Sequence, residues 1–522
     1  MVAASVRAFF RVARLAPCLG LLAACTGPKR EAPARREPPK AAPLPAFSGP
    51  TSSLERPPVE VPAQLDYLIF GGGSEPLSNQ ISLAQDLNFA RELLDGRGLT
   101  LFASGPNAPV SVEDRRSENE RPDLTRELAR MFGVPGADAT RYEAAPLSSD
   151  GPSTADQVLH ALEKGLSHGK EPLFVYAACH GDQGAQPADN TLSLWGGWGL
   201  KVTDLTAVLD RHEDNPRGTR FVITACFGGG FAELAFVAGD PKRGARSPEH
   251  CGLFAAPWDE EASGCDPNPD RRVQESYSIH FMHALAGQDR RQHPRMHEID
   301  LNGDQRVSLL EAHTYARIAS RSFDTPTTTS ERYLREVSPN PGRATPRVAL
   351  DPLAAPEEVA IVRALGEELE LSSEAEAKAK LSELDGILTD ANQQVSKAQQ
   401  TADDAYYALR IALLERFPLL EHPWEQRGRD LIAQQAVEIS KLLTESDLAQ
   451  EHVQASHELD QAVIDQDSVR VARARVQRLV RAYETLRLAT ALKKKSGPDY
   501  THFAALRRCE NWVPRLRSGG RP

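Results

Sequence analysis

Two short apolar runs constrain this chain more than any other feature: Leu173 to Ala178 and Arg220 to Thr224. Each is rich in Val, Ile and Phe and stops at a sharp polar or glycine boundary. That is the pattern of a strand buried on both faces of a parallel sheet, delivering one side chain at its C-terminal end. His180-Gly181 follows the first run, and Ala225-Cys226-Phe227-Gly228 follows the second, with Cys226 46 positions beyond His180. Open α/β sheets carry their chemistry at that edge, so the two runs are predicted to bring His180 and Cys226 to one rim.

Around these runs, residues 66–338 alternate short apolar stretches with helical patterns. Strands are predicted at Tyr67 to Phe70, Leu99 to Phe102, Leu173 to Ala178, Phe221 to Thr224 and Leu253 to Ala256. Helices are predicted near Leu83 to Leu94, Asp123 to Phe132, Thr154 to Leu166 and Thr203 to His212, with Ser153 or Thr154 and Thr203 as N-caps. The alternation implies an α/β fold with a doubly wound, mostly parallel sheet.

Residues 356–513 have a different character. Leu384, Leu388, Ala391, Val395, Ala398, Ala402, Ala405 and Leu409 recur at alternating steps of four and three, a heptad seam. Phe417-Pro418 and His422-Pro423 end that helix, and further patterns follow at Ile432 to Leu443 and Val469 to Leu486. Short Pro-marked connections imply an antiparallel helical hairpin or bundle, a spacer or a surface for a protein partner. Gly386 inside the first helix costs about 1 kcal/mol relative to Ala and argues against one uninterrupted rod.

At the other end, Arg7, Arg11 and Arg14 precede the apolar stretch Leu15 to Ala24, too short to span a bilayer as a mature helix. Leu22-Ala23-Ala24-Cys25 resembles a bacterial lipobox, which implies a signal peptide over 1–24 and lipidation of Cys25; the other reading is an ordinary secretory signal. By the same resemblance, Thr26 points to the outer membrane, so the expectation is an envelope protein held to the membrane by a lipid anchor. Residues 25–65 form a Pro-rich tether, with ten prolines between 26 and 63. The formal charge of −11 becomes −14 once the three arginines of the export segment are removed, which argues against nucleic acid as a partner.

Seven cysteines are present; Cys18 leaves with the signal and Cys25 is taken by lipid. Cys251 and Cys265 bracket a Pro- and Asp-rich loop, which fits either a disulfide or two free thiols. Cys179 lies within a strand and reads as a small buried hydrophobe. Cys226 is different, because it ends a strand and precedes Gly228-Gly229-Gly230, where a backbone without Cβ atoms lets a peptide approach closely. A thiol attacks an acyl carbon when it is exposed, ionised and backed by donors for the oxyanion. Cys226 fits the nucleophile, His180 the proton donor to the leaving amine, and the N–H groups of Gly181 and Cys226 the oxyanion hole. A buried strand-end cysteine and an unrelated histidine is the structural alternative.

These residues resemble the caspase-like cysteine peptidases, and among them the legumain-like family. Val175-Tyr176-Ala177-Ala178-Cys179-His180-Gly181 is similar to the family's strand leading to its catalytic His-Gly, Lys201-Val202-Thr203-Asp204-Leu205 to the helix start between the catalytic strands, and Ala225-Cys226 to the nucleophile. Ala255-Ala256, Ser263, Cys265 and Glu275-Ser276-Tyr277-Ser278 resemble the specificity-loop segment. The resemblance covers Asp66 to Gly287 and implies a caspase-like fold and a cysteine endopeptidase, with protein or peptide substrates and no cofactor required for the chemistry. It also places Ser263 and Glu275 at the substrate pocket, and the acid implies acceptance of a basic or amide P1 side chain; a solvated acid opening a helix from Gln274 to Leu285 is the other reading. Thr224 stands where legumains carry Glu, and Ser78-Asn79-Gln80 lacks their arginine, so asparagine specificity is not implied.

Finally, Asp300, Asn302, Asp304, Ser308 and Glu311 occupy positions one, three, five, nine and twelve of an EF-hand-like loop over 300–311, with the Arg306 carbonyl at seven. Oxygen ligands at this spacing suit calcium, although Gln305 stands where the left-handed turn normally needs glycine; an acidic capping turn is the alternative. The Pro- and charge-rich stretch from Gly239 to Arg272 is expected to be a processing or lid segment. Together these readings describe a lipid-anchored cysteine endopeptidase, with a catalytically inactive caspase-like scaffold or signalling lipoprotein as the alternative.

Overall fold

In a computed structural model of the protein, residues 57–114, 124–133, 139–197, 199–213, 217–338 and 349–517 are described. The strands are β1 (Tyr67–Gly72), β2 (Gly98–Phe102), β3 (Pro109–Glu113), β4 (Thr140–Ala144), β5 (Leu173–Asp182), β6 (Thr191–Ser193), β7 (Gly199–Lys201), β8 (Thr219–Ile223), β9 (His250–Phe254) and β10 (Thr327–Thr328). The helices of the sheet region are α1 (Ile81–Leu93), α2 (Leu124–Phe132), α3 (Ala155–Ser167), α4 (Val202–Arg211), α5 (Tyr277–Leu285), α6 (Met296–Ile299), α7 (Leu309–Ala319) and α8 (Thr329–Val337). Those that follow are α9 (Pro356–Glu368), α10 (Glu374–Arg416), α11 (Gln426–Thr444), α12 (Asp447–Lys495) and α13 (Pro498–Glu510).

The main sheet runs β10-β9-β8-β5-β1-β2, parallel except for β10 against β9. All five predicted strands are present within a few residues of their expected bounds. Alternation along β5 shows why its sequence is apolar throughout. Phe174, Tyr176 and Ala178 enter one core with α1, α5 and α7, while Leu173, Val175, Ala177 and Cys179 enter a second core with α3 and α4. Both faces are covered, so the sheet is doubly wound. The chain order reverses between β1 and β5, which places the crevice of an open α/β sheet beyond their C-terminal ends.

Helix starts differ slightly from expectation. Thr154 does precede α3, but α4 begins at Val202 with Lys201, not Thr203, as its N-cap, because the Asp204 carboxylate accepts the Lys201 N–H at 3.1 Å. The stretch from Gly239 to Arg272 is not one loop, since β9 lies within it and pairs along its full length with β8. Its buried, apolar Leu253 and Phe254 pack into the two cores, which removes that portion from any lid.

Helices α10 and α12 span 43 and 49 residues and pair along their length, so α12 alone is about 73 Å long. Gly386 lies inside α10 without interrupting it, the penalty being offset by the long packed seam. The arm does not stand apart from the sheet region. Leu479 and Ala482 of α12 share a core with Ile361 and Leu365 of α9, and Leu486 and Leu492 share one with Phe236, Tyr333 and Phe503. A disulfide joins Cys251 of β9 to Cys509 of α13, so the expected alternatives for Cys251, a bond to Cys265 or a free thiol, are both corrected. The first 56 residues, with the export segment, Cys25 and most of the tether, lie outside the described residues. No helix among the described residues is long and apolar enough to cross a membrane.

Candidate active site

Strand β5 outruns its neighbours. Its pairing with β8 ends at Ala177 and with β1 at Cys179, and the last three residues, His180–Asp182, pair instead with β6. His180 is thereby carried past the edge of the sheet, at the point where the strand order reverses. Its Nε2 lies 2.9 Å from both the Ser78 carbonyl oxygen and Gln80 Oε1, on the loop leaving β1. Both partners are acceptors, so Nε2 carries the proton and Nδ1 keeps its lone pair in the neutral ring. Burial pushes the imidazole below its ordinary range, with the Ser78 carbonyl and Asp182 opposing that shift, so the ring is neutral at physiological pH.

Cys226 follows β8 in a tight turn. The Thr224 hydroxyl donates to the Ala177 carbonyl at 3.1 Å, tying the end of β8 back to β5. Phe227 then adopts a left-handed backbone with φ 58°, a conformation that costs a bulky residue about 1–2 kcal/mol and persists only where its surroundings hold it. Here the Phe227 N–H donates to the Glu260 carbonyl at 2.8 Å, and buried Asn190 donates to the carbonyls of Phe227 at 2.9 Å and Trp258 at 2.7 Å. The Cys226 N–H has no hydrogen-bond partner among the described residues. Gly181 must be glycine, because a Cβ there would lie 2.1 Å from the Cys226 carbonyl oxygen. The end of β5 and the turn after β8 therefore touch.

The Cys226 thiol is half-buried and lies 3.3 Å from the Ala262 N–H nitrogen and 3.4 Å from the Ala262 carbonyl oxygen. Cys265, three residues further on, places its sulfur 3.5 Å from His180 Nδ1. Burial, the neighbouring Cys265 and the carboxylates of Glu261 and Asp324 push the Cys226 thiol up to about 12, opposed by its contact with Ala262. Burial and the carboxylates of Asp86, Asp324 and Asp266 push Cys265 up to about 12 as well. Both thiols are protonated at neutral pH in this arrangement, and the imidazole is the base beside Cys265. Cys179 is fully buried in the sheet, as its strand position predicts.

Cys265 is held on both sides. Buried Asp324 accepts the Ser263 N–H at 2.6 Å and the Ser263 hydroxyl at 2.7 Å, while Ser82 accepts the Asp266 N–H at 2.8 Å. Ser263 is thus two residues from the thiol beside His180, and its hydroxyl serves Asp324. Glu275 departs from the role the family resemblance implies. Its carboxylate is taken by Arg290, by His280 Nε2 at 2.6 Å, by the Arg321 N–H at 2.8 Å and by the Ser320 hydroxyl at 3.3 Å. A substrate cation would have to displace Arg290. Nor does Glu275 open the following helix, which starts at Tyr277 with Ser276 as its N-cap.

Loop 300–311 closes on itself. Asp300 accepts the N–H groups of Gly303, Asp304 and Gln305, Asn302 accepts that of Asp304, and Asp304 accepts that of Arg306. Ser308 and Glu311 form the capping box that starts α7, and Gln305 takes the left-handed turn with φ 64°. This internal bonding is that of a capping turn and does not by itself exclude calcium; no group of three or more metal-ligating His, Cys, Asp or Glu side chains occurs among the described residues.

Sequence reasoning placed His180, Gly181 and Cys226 together and missed Ser78, Gln80 and Cys265. The first two lie about a hundred residues upstream of His180 in an unpatterned loop, and Cys265 reads as either a disulfide partner of Cys251 or a free thiol, with no link to His180. An unpaired cysteine in the segment resembling a specificity loop was the available signal for the third. No protein-family model matches this sequence, and no curated protein matches it.

Proposed function

We propose that the chain is a cysteine endopeptidase with a caspase-like, legumain-like site. In this reading the Cys226 sulfur attacks the scissile carbonyl, His180 Nδ1 takes the thiol proton and returns it to the leaving amine, and the N–H groups of Gly181 and Cys226 hold the oxyanion. One observation carries the reading: His180 and Cys226 emerge at the C-terminal ends of adjacent parallel strands, the first of which borders the reversal point of the sheet, with Gly181 packed against the Cys226 carbonyl. Support for Nδ1 as the working nitrogen comes from the clamp on Nε2. The acyl-enzyme is hydrolysed by water, regenerating the thiol, and the chemistry requires no cofactor.

The Leu-Ala-Ala-Cys25 tetrad supports a lipid-anchored protein of the bacterial envelope, and a structural disulfide between Cys251 and Cys509 suits that oxidising setting. The helical arm offers a surface for a protein partner. A second reading, an inactive scaffold, draws support from Cys265 occupying the His180 nitrogen.

Labelling with a peptidyl electrophile decides between them. Wild type and Cys265→Ala should be labelled and Cys226→Ala should not; equal labelling of wild type and Cys226→Ala would sink the peptidase. Loss of metabolic fatty-acid incorporation in Cys25→Ala tests the anchor.

A further inference from the structure

We infer that Cys226 and Cys265 form a reversible disulfide, a redox modification that withdraws the nucleophile from the site. The two thiols are free, half-buried and lodged against the same apolar core. The backbone links them closely: Cys226 touches the N–H and carbonyl of Ala262, and Cys265 follows three residues later with its sulfur on His180 Nδ1. The third free thiol, Cys179, neighbours both of them but is sealed within the sheet, out of reach of an external oxidant. The segment between Ala262 and Cys265 contains Gly264 in a left-handed backbone, φ 120°, where its missing Cβ lets the chain turn so that Cys265 faces the cleft.

The chemistry balances with a disulfide-bearing oxidant. Cys226 releases its proton to solvent, and its sulfur attacks the oxidant, forming a mixed disulfide and expelling one thiolate, which takes up a proton from solvent. Cys265, already donating to His180 Nδ1, then passes its proton to that nitrogen and attacks the Cys226 sulfur. The internal disulfide forms, the second thiolate leaves, and it collects the proton from His180. Two protein thiols are oxidised and one external disulfide is reduced to two thiols. His180 thus serves the resolving thiol, which explains a cysteine placed on the free nitrogen of the imidazole. The consequence for activity rests on the proposed role of Cys226; the bond itself does not.

The test treats folded, reduced protein, with Cys251–Cys509 intact, with excess oxidised glutathione. Trypsin releases Ser247–Arg271 carrying both Cys251 and Cys265, so a second cut after Glu260 or Glu261 is needed to tell the two apart. The expected result is a Cys226–Cys265 cross-link without retained glutathione, reversed by dithiothreitol. Cys265→Ser should instead keep glutathione on Cys226, because no resolving thiol remains. Iodoacetamide labelling of Cys226 should fall roughly tenfold or more on oxidation and recover on reduction. Stable glutathione on Cys226 of the wild type, or a link from Cys226 to any other cysteine, overturns the inference. If the cross-link forms while the reduced protein cleaves no peptide, the switch stands and the peptidase reading fails. If the reduced protein cleaves peptides and no cross-link forms, the switch fails and the peptidase reading stands.

Discussion

Arg478 of α12 reaches out of the helical arm and donates through Nε to the backbone carbonyl of Asp324 at 2.6 Å. The same guanidinium holds the carbonyls of Ser320 at 2.8 Å and Ser322 at 2.7 Å, and the Asp324 carboxylate in turn clamps Ser263 beside Cys265. One buried cation of the arm therefore sits two residues' reach from the candidate site. Glu260 and Glu261, which precede Ala262, are also met from α12, by Gln477 at 2.7 Å and Arg470 at 2.7 Å.

Replacing Arg478 leaves several buried carbonyls without a donor. Burial lowers the guanidinium only to about 10, so it stays charged at neutral pH. Arg478→Met should cost about 3–5 kcal/mol, and Arg478→Lys should not restore it, since one ammonium cannot match the planar fork. Urea denaturation of the three proteins checks this; a loss below about 1 kcal/mol would remove the coupling.

Cys251 and Cys509 are 258 residues apart, so their bond closes a long loop in the unfolded chain. Cys509→Ser should lose about 2–5 kcal/mol, and its melting temperature should no longer respond to reductant. Cys265→Ser should keep the reductant response. The reverse pattern would mean that Cys265 is the true partner of Cys251.

His250 is buried on β9, bonded through Nδ1 to Thr219 at 2.9 Å. Burial, with Arg246 and Arg220 nearby, lowers it to about 3. The unfolded chain binds a proton near pH 6.5 and the folded one does not, so this stability is complete above about 6.5 and is lost as pH falls towards the folded value. The loss approaches 1.4 kcal/mol per pH unit below that point, roughly 2 kcal/mol by pH 5. Chemical denaturation at pH 7 and pH 5 should show a smaller pH effect in His250→Gln by about that amount; identical slopes would contradict the assignment.

Gly181→Ala forces a Cβ into the Cys226 carbonyl oxygen. The turn must shift, with a stability loss of about 1–3 kcal/mol and a fall of about a hundredfold in Cys226 labelling by a peptidyl electrophile. Thermal unfolding run beside the labelling assay separates the two effects. Unchanged labelling would mean that the contact between the loops is dispensable.

The strands at Leu173 to Ala178 and Phe221 to Thr224 were legible because burial on both faces leaves an unbroken apolar run, a signal contained in a few consecutive residues. The seam from Leu384 to Leu409 was legible for the same reason, and it continued through Gly386 because the partner helix supplies packing that the local sequence does not display. His180, Gly181 and Cys226 stood out as strand-end residues, and the meeting of Gly181 with Cys226 needed only the ordering of neighbouring strands.

Partnerships between distant segments were not legible. Cys509 as the mate of Cys251, Cys265 as the neighbour of His180, Ser78 and Gln80 as its clamp, and Arg290 as the ion partner of Glu275 each join side chains from separate loops or helices. Periodicity records which face of an element is buried, whereas these contacts depend on how finished elements dock. Local patterning thus wrote the sheet, the helical arm and the two candidate catalytic residues into the chain. Docking chose what surrounds the thiol, because close packing of a buried site brings together residues that no short window of sequence contains.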